Sequence, residues 1–444
     1  MGKAEIVKYF KRILLEIFPS TYLTDRHNWL ARNGLAILAY AATLLITFEP
    51  VLARDNFANM SKDRFITGLR RLSWYMRRGW PRLNLSIDPV YLFCENMDHR
   101  ELVAVRRFLM RRKTYQSRET FLGELCFISA CDTIVTFDTA DYSKAASTFR
   151  QDVDQALQNN LSCRHSKSKK SPKRGTGPIV KKGPIVKKEF TRDAAKHALR
   201  DTLELLQSNG FSPFILSGTL LGSVREGRIL EHDYDIDLGL FADEIDPIRL
   251  GDLLHDSPPF RCIAAQDQIV FTRSPSGALE LKKLPVIFKL RHLSGIVSDI
   301  FLHYRDEGQI WHGSSMFRWV NSEFSLVFCD LDGVSVKAPV NPARHLEENY
   351  GNWQVPKYDF HCAIDTPNLQ LHSSPLSVAL AIWRLQMLSD QAVDAFDDLF
   401  EQMKDAGFVV SNSSGGWQIA ADLFTLHQNG SGDVPAPTAL SSVF

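Results

Sequence analysis

Ser217–Leu240 reads SGTLLGSVREGRILEHDYDIDLGL. Near its end, Asp235, Asp237 and Gly239 alternate with Ile236, Leu238 and Leu240. That is the period of a strand with one apolar face. Carboxylates two positions apart on such a strand lie about 6–7 Å apart at Cα and repel. A hard divalent cation between them reverses the sign, and Mg²⁺ characteristically takes one or two carboxylates plus substrate phosphates. Gly239 is expected to leave the same face open at the next position. Just upstream, Phe214–Leu216 reads as a short strand. Ser217-Gly218-Thr219 turns from it into a helix that runs to Arg225 and is broken by Glu226-Gly227. A small-residue turn into a helix aims backbone N–H groups and a positive helix end at an anion. A phosphate cradle therefore stands beside a metal site. An isolated D-x-D is more simply a solvated acidic face; the glycine turn close upstream favours the site.

A two-carboxylate site for phosphoryl chemistry usually wants a third acid. Asp299 supplies a candidate, in the otherwise apolar strand Ile296–Tyr304, where an unpaired carboxylate is costly. Ser294-Gly295 joins this strand to Val286–Leu293, a hairpin pattern that carries Lys289 and Arg291 on one face. These cations suit transferring phosphates. A buried ion pair between Asp299 and Lys289 or Arg291 is the competing reading.

Outward from this centre, Thr191–Asn209 is an amphipathic helix stopped by Asn209-Gly210, and Leu376–Ala406 a long closing helix. Between Arg164 and Lys188 lie ten of the 52 cations and no acid, with GPIVKK repeated in tandem. Such a segment buries too little apolar surface to offset its chain entropy and reads as a flexible linker. Contact with an acidic membrane surface is its second reading. The rest of the chain carries 42 cations against 51 acids, which excludes a globally basic nucleic-acid binder. Ahead of the linker, Ile6–Ile17, Asn28–Phe48, Lys62–Arg78, Arg100–Arg112 and Ser143–Leu157 have helical spacing. The expected organisation is a helical domain over 1–160, a basic linker over 161–190, a catalytic domain over 191–427 and a disordered tail over 428–444. Gly34–Phe48, the longest apolar run, is shorter than the ~20 residues a bilayer requires and reads as a buried helix. Seven cysteines without a C-x-x-C support neither a disulfide framework nor a zinc ribbon; reduced, buried thiols and a cytoplasmic location are expected.

Gly218-Thr219 followed by Asp235-Ile236-Asp237-Leu238 resembles the signature of the nucleotidyltransferase (polymerase-beta-like) superfamily. More narrowly, GTLLGSVREG with DYDIDLG resembles the LicD/fukutin family, and the likeness extends through KLRH, VSDIF and YGNWQVP, roughly residues 190–360. The resemblance implies an α+β fold, a mixed-sheet catalytic domain, here preceded by an all-α domain. It also implies transfer of a phospho-alcohol (phosphocholine, ribitol or glycerol phosphate) from a CDP-activated donor to a glycan hydroxyl. By the same resemblance Asp235, Asp237 and Asp299 are the catalytic carboxylates and the ligands of Mg²⁺ or Mn²⁺, with Asp299 a candidate to assist deprotonation of the acceptor. Gly218 and Thr219 form the phosphate turn, and Arg225, Lys289 and Arg291 contact donor phosphates.

The chain departs from the family pattern at His232, which precedes Asp233 where the family carries Trp, and it has no cysteine cluster for structural zinc. His232 is either a base or metal ligand, or a hydrogen-bonded neighbour. His303, on the face of Asp299, admits the same pair of readings. Trp311, Trp319 and Trp353 are read as core before they are read as stacking platforms. Two alternatives stand beside phospho-alcohol transfer. One is transfer of a nucleoside monophosphate from a triphosphate; the other is a non-catalytic scaffold that binds a polymer or partner through the helical half and the strap.

Overall fold

The computed structural model describes residues 118–168, 191–230, 235–255, 257–357, 365–388 and 393–426, with Phe360, Cys362 and scattered positions from 98 to 110. Its two units, Met1–Asp152 and Val153–Phe444, are taken in turn. In the first, helix α1 (Arg118–Val135) is buried continuously from Phe121 to Cys131. Arg106 forms a two-pronged ion pair with the buried Asp152. Helix α2 (Tyr142–Ser168) contains the expected Ser143–Leu157 segment and runs eleven residues beyond it. The first residues of the expected linker are thus helical, while 169–190 lie outside the described residues. So do the expected helices before residue 98, the Gly34–Phe48 run and the tail.

In the second unit, Thr191 opens helix α3 (Arg192–Ser208) by accepting the Ala194 N–H at 3.2 Å. A Thr cap is worth about 1 kcal/mol. Asn209 and Gly210, the latter at φ +82°, end the helix as its sequence predicts. Its apolar stripe (Ala195, Ala198, Leu199, Leu203, Leu206) packs on one face of a mixed sheet, against Ile236, Leu238, Leu290, Ile300 and Leu302. Each such Leu or Ile contributes about 1.5–3 kcal/mol by leaving water.

The sheet's strands, in chain order, are β1 (Phe214–Ile215), β2 (Asp235–Phe241), β3 (Phe260–Arg273), β4 (Leu279–His292), β5 (Val297–Asp306), β6 (Gln309–Gly313), β7 (Arg318–Ser322), β8 (Leu326–Leu331) and β9 (Val334–Pro339). Across the sheet they run β3-β4-β5-β2-β1-β9-β8, with β6 and β7 added beside β5. β2 is central, parallel to β5 and antiparallel to β1. Helix α4 (Ser217–Glu226) follows β1 directly, α5 (Pro247–His255) follows β2 and α6 (Pro342–Tyr350) follows β9. The β4–β5 hairpin turns where Ser294-Gly295 predicts it, with Gly295 at φ +91°. The expected single closing helix is two described helices, α7 (Pro375–Leu388) and α8 (Val393–Asp405), followed by a hairpin of β10 (Val409–Ser411) and β11 (Trp417–Ile419).

The chain is therefore α+β, a mixed sheet with helices preceding it. Trp311 stacks on Tyr304 at 4.5 Å and Trp353 packs on the main core, so both are structural. No helix among the described residues is long and apolar enough to cross a membrane. Among the described cysteines only Cys126 and Cys131 are buried; Cys362 is exposed. Burial of thiols is thus less complete than expected.

Candidate active site

β2 and β5 lie in parallel register, pairing Asp235 with Val297 and Asp237 with Asp299. β4 continues the rows, setting Lys289 opposite Asp299 and Arg291 opposite Val297. Residues directly opposite share a sheet face. Ile236, Leu238 and Ile300 occupy the face packed on α3, so the three acids and two cations stand on the other. The carboxylates of Asp235, Asp237 and Asp299 have oxygens within 4.8 Å of one another. Asp237 is 8% exposed and Asp299 3%, whereas Asp235 is only half-buried.

The turn into α4 is built onto the same carboxylates. Gly218 donates its N–H to Asp237 Oδ2 at 2.9 Å, and the Asp237 N–H donates to Thr219 Oγ1 at 2.9 Å. Ser217, just before, sits at φ +46°. The expected cradle and the expected metal site are therefore one hydrogen-bonded unit.

Lys289 donates to Asp299 Oδ2, which makes the buried ion pair the sequence held open as an alternative. Burial works against the Lys289 charge, but Asp299, with Asp235 and Asp237 beyond it, holds the ammonium above its ordinary pKa. The other oxygen, Asp299 Oδ1, is buried and has no hydrogen-bond partner among the described residues. An orphaned anionic acceptor in a dry site costs several kcal/mol unless a cation or donor meets it. Three hard oxygen donors closing on such an atom fit a Mg²⁺ or Mn²⁺ ion. Arg225 sits seven residues along α4 from Gly218 and pairs with Glu226 at 3.6 Å. His232 and Asp233 lie outside the described residues.

Gly239 does not keep the face open. The β1–β2 register sets Phe214 directly opposite it, and a Cβ at 239 would meet the Phe214 ring at 2.4 Å and His303 Cε1 at 2.7 Å. Beyond Asp237 the face is thus closed by rings, and the site ends there. Gly239→Ala should lower stability by about 1–3 kcal/mol, the usual cost of overpacking, read as a fall in the thermal midpoint. An unchanged midpoint would show that the two rings yield freely.

Sequence reasoning named His303 but missed the two histidines, His312 and His345, that stand with it behind this wall. His303 stacks on His312 at 4.5 Å, and His345 packs edge-on to Phe324 at 5.1 Å. Burial keeps all three neutral, lowering His312 to about 3 and His345 to about 4. That removes His303 from the acid–base chemistry of the site.

Residues 210–341 match the family model described as LicD/FKTN/FKRP, nucleotidyltransferase domain. This segment belongs to the LicD/FKTN/FKRP family. Its span takes in the turn, all three carboxylates, Lys289 and Arg291. Relatives include "Ribitol-5-phosphate transferase FKTN" of Mus musculus, 25% identical over 186 residues, 40% of this chain and 37% of that protein. The Homo sapiens protein of the same name is 24% identical over the same shares. "Uncharacterized protein RP689" of Rickettsia prowazekii is 26% identical over 163 residues, 35% of this chain and 53% of that one. The chain thus covers 37% of the length of the FKTN proteins.

Proposed function

We propose that the chain is a metal-dependent transferase that moves a phospho-alcohol from a CDP-activated donor to a glycan hydroxyl. The alcohol is ribitol or glycerol phosphate, or phosphocholine. The observation that carries this reading is a cluster of three carboxylates with oxygens within 4.8 Å of one another, one of them Asp299 with its buried Oδ1 unmet, within a LicD domain. The names of the FKTN relatives support ribitol phosphate as the first donor to try.

Asp235, Asp237 and Asp299 would hold Mg²⁺ or Mn²⁺, which when bound neutralises diphosphate charge and polarises the phosphoryl oxygens. Lys289 fixes Asp299 by Oδ2 and leaves Oδ1 uncommitted. Gly218 and Thr219 fix Asp237 in the same way, from its carboxylate and its N–H. Positioning of this kind is the main protein contribution in phosphoryl transfer. The acceptor hydroxyl oxygen forms the new P–O bond in line with the bond to CMP, which breaks and takes its electron pair to the leaving nucleotide. The hydroxyl proton passes to a carboxylate; Asp235, the least buried of the three, is the accessible one. With Asp299 engaged by Lys289 on one side, that role moves away from Asp299.

Thermal unfolding with Mn²⁺ tests the donor against CDP-ribitol, CDP-glycerol, CDP-choline, CTP, ATP and a UDP-sugar. A ligand at a hundred times its dissociation constant adds ~2.7 kcal/mol, or several degrees. A shift with one CDP-alcohol, dependent on metal and lost in Asp235→Asn, is expected. The family description also favours a second reading, transfer of a nucleoside monophosphate from a triphosphate. A shift confined to CTP or ATP, with pyrophosphate as product, would select it. Folded protein that responds to no nucleotide would overturn both.

A further inference from the structure

The sheet face that carries the acids continues across β4 into β3 and changes sign on the way. Arg261, the second residue of β3, lies directly opposite Arg291 of β4. Phe260 and His292, the adjoining pair, turn the other way: Phe260 packs in the α3-side core and His292 bonds Asp201 of α3 at 2.9 Å. Arg261 and Arg291 therefore share the face, and through Val297 the row, of Asp235.

Two guanidinium groups directly opposite each other on one face are mutually destabilising. Yet among the described residues neither Arg261 nor Arg291 forms an ion pair, and Arg291 Nε is buried without a hydrogen-bond partner. Lys289, by contrast, is already committed to Asp299. By strand spacing Arg291 and Arg261 lie about 10 and about 15 Å from Asp235 at Cα, both with long side chains. A like-charged pair with an orphaned donor, set beside three carboxylates, is the complement of a ligand that binds metal at one end and carries further anionic oxygens at the other.

We infer that Arg261 and Arg291 form an arginine clamp for phosphoryl oxygens of the donor diphosphate. The inference rests on the donor reading given above and adds to it a residue outside the motif. Bidentate guanidinium–phosphate geometry makes Arg the suitable residue here, and one that Lys replaces poorly.

Equilibrium titration of the full chain in Mn²⁺, with CDP-ribitol and separately with inorganic pyrophosphate, tests the clamp. Arg261→Gln and Arg291→Gln are each expected to weaken both ligands tenfold or more and to leave Mn²⁺ affinity within twofold. Arg261→Lys should recover only part of the loss. Variants that bind both ligands as wild type does would overturn the clamp and leave the donor reading standing. Pyrophosphate binding that is lost in the variants, from a wild type indifferent to every CDP-alcohol, would keep the clamp and remove the donor. Unaltered donor affinity with loss of affinity for a sugar phosphate would assign the pair to an anionic acceptor and overturn the inference as stated. A wild type that binds neither ligand would remove both.

Discussion

Asp237→Asn is expected to lower turnover by at least ~10³-fold, the scale on which preorganised transition-state electrostatics act, while the metal-free protein stays as stable as wild type or gains stability. The two halves of this result have one cause. Three carboxylates within 4.8 Å, one of them paired with Lys289, repel in the absence of metal. Removing one charge relieves that repulsion, and the amide oxygen of Asn can still accept the Gly218 N–H. Binding of metal loses a charged ligand by the same change. Thermal midpoints with and without Mn²⁺, read beside turnover, check both halves. A variant that is less stable but fully active would make Asp237 a structural acid and end the metal mechanism.

Acidification should unfold the second unit well before its carboxylates titrate. His303, His312, His345 and His372 are buried and held below the ordinary histidine pKa, chiefly by desolvation. Neighbouring imidazoles add to the effect at His303 and His312, Arg318 adds to it at His372, and Glu348 opposes it at His345. Unfolded, each titrates near 6.5, so below that pH the unfolded chain binds more protons than the folded one. Stability then falls as pH falls, by up to ~1.4 kcal/mol per unit for each histidine. The loss continues toward about 4 for His345 and about 3 for His312. For four groups the loss between pH 7 and 5.5 is about 5 kcal/mol, comparable with the whole stability of many domains. A steep drop in thermal midpoint over that interval, shallower in His312→Phe, is the expected record. A midpoint flat from pH 7 to 5 would mean that the imidazoles reach water or are already charged.

The contrast between these two groups of residues shows what a single sequence makes legible. The acids could be read because alternation of Asp235 and Asp237 with core residues fixes their face, and the Ser294-Gly295 turn places Asp299 beside Lys289. That β5 then pairs with β2, in a register that puts Asp237 opposite Asp299, is tertiary information no local pattern carries. Arg261 was invisible for a different reason. β3 shifts register between Cys262 and Ala264 and again between Gln266 and Asp267, so its alternation loses phase within a few residues. His345 lies 33 residues beyond His312 and joins it and His303 only in the fold. Gly239 was misread because its neighbour across the sheet, Phe214, belongs to a strand too short to announce its pairing.

That short strand has a consequence for the whole unit. β1 is two residues long, yet it alone joins the β3-β4-β5-β2 half of the sheet to the β9-β8 half, meeting β9 through one residue pair, Phe214 with Lys337. Across a seam that narrow, backbone hydrogen bonds do little to couple the two halves, and side-chain packing must carry the load. Phe214 bears much of it, touching Phe241, His303 and Phe324. The acid-bearing half of the sheet and the outer hairpin are thus joined by packing on both faces, the Phe214 rings on one and, on the other, a core shared by Ile236 and Ile300 with Val334 and Val336, and parting them by local unfolding means opening both.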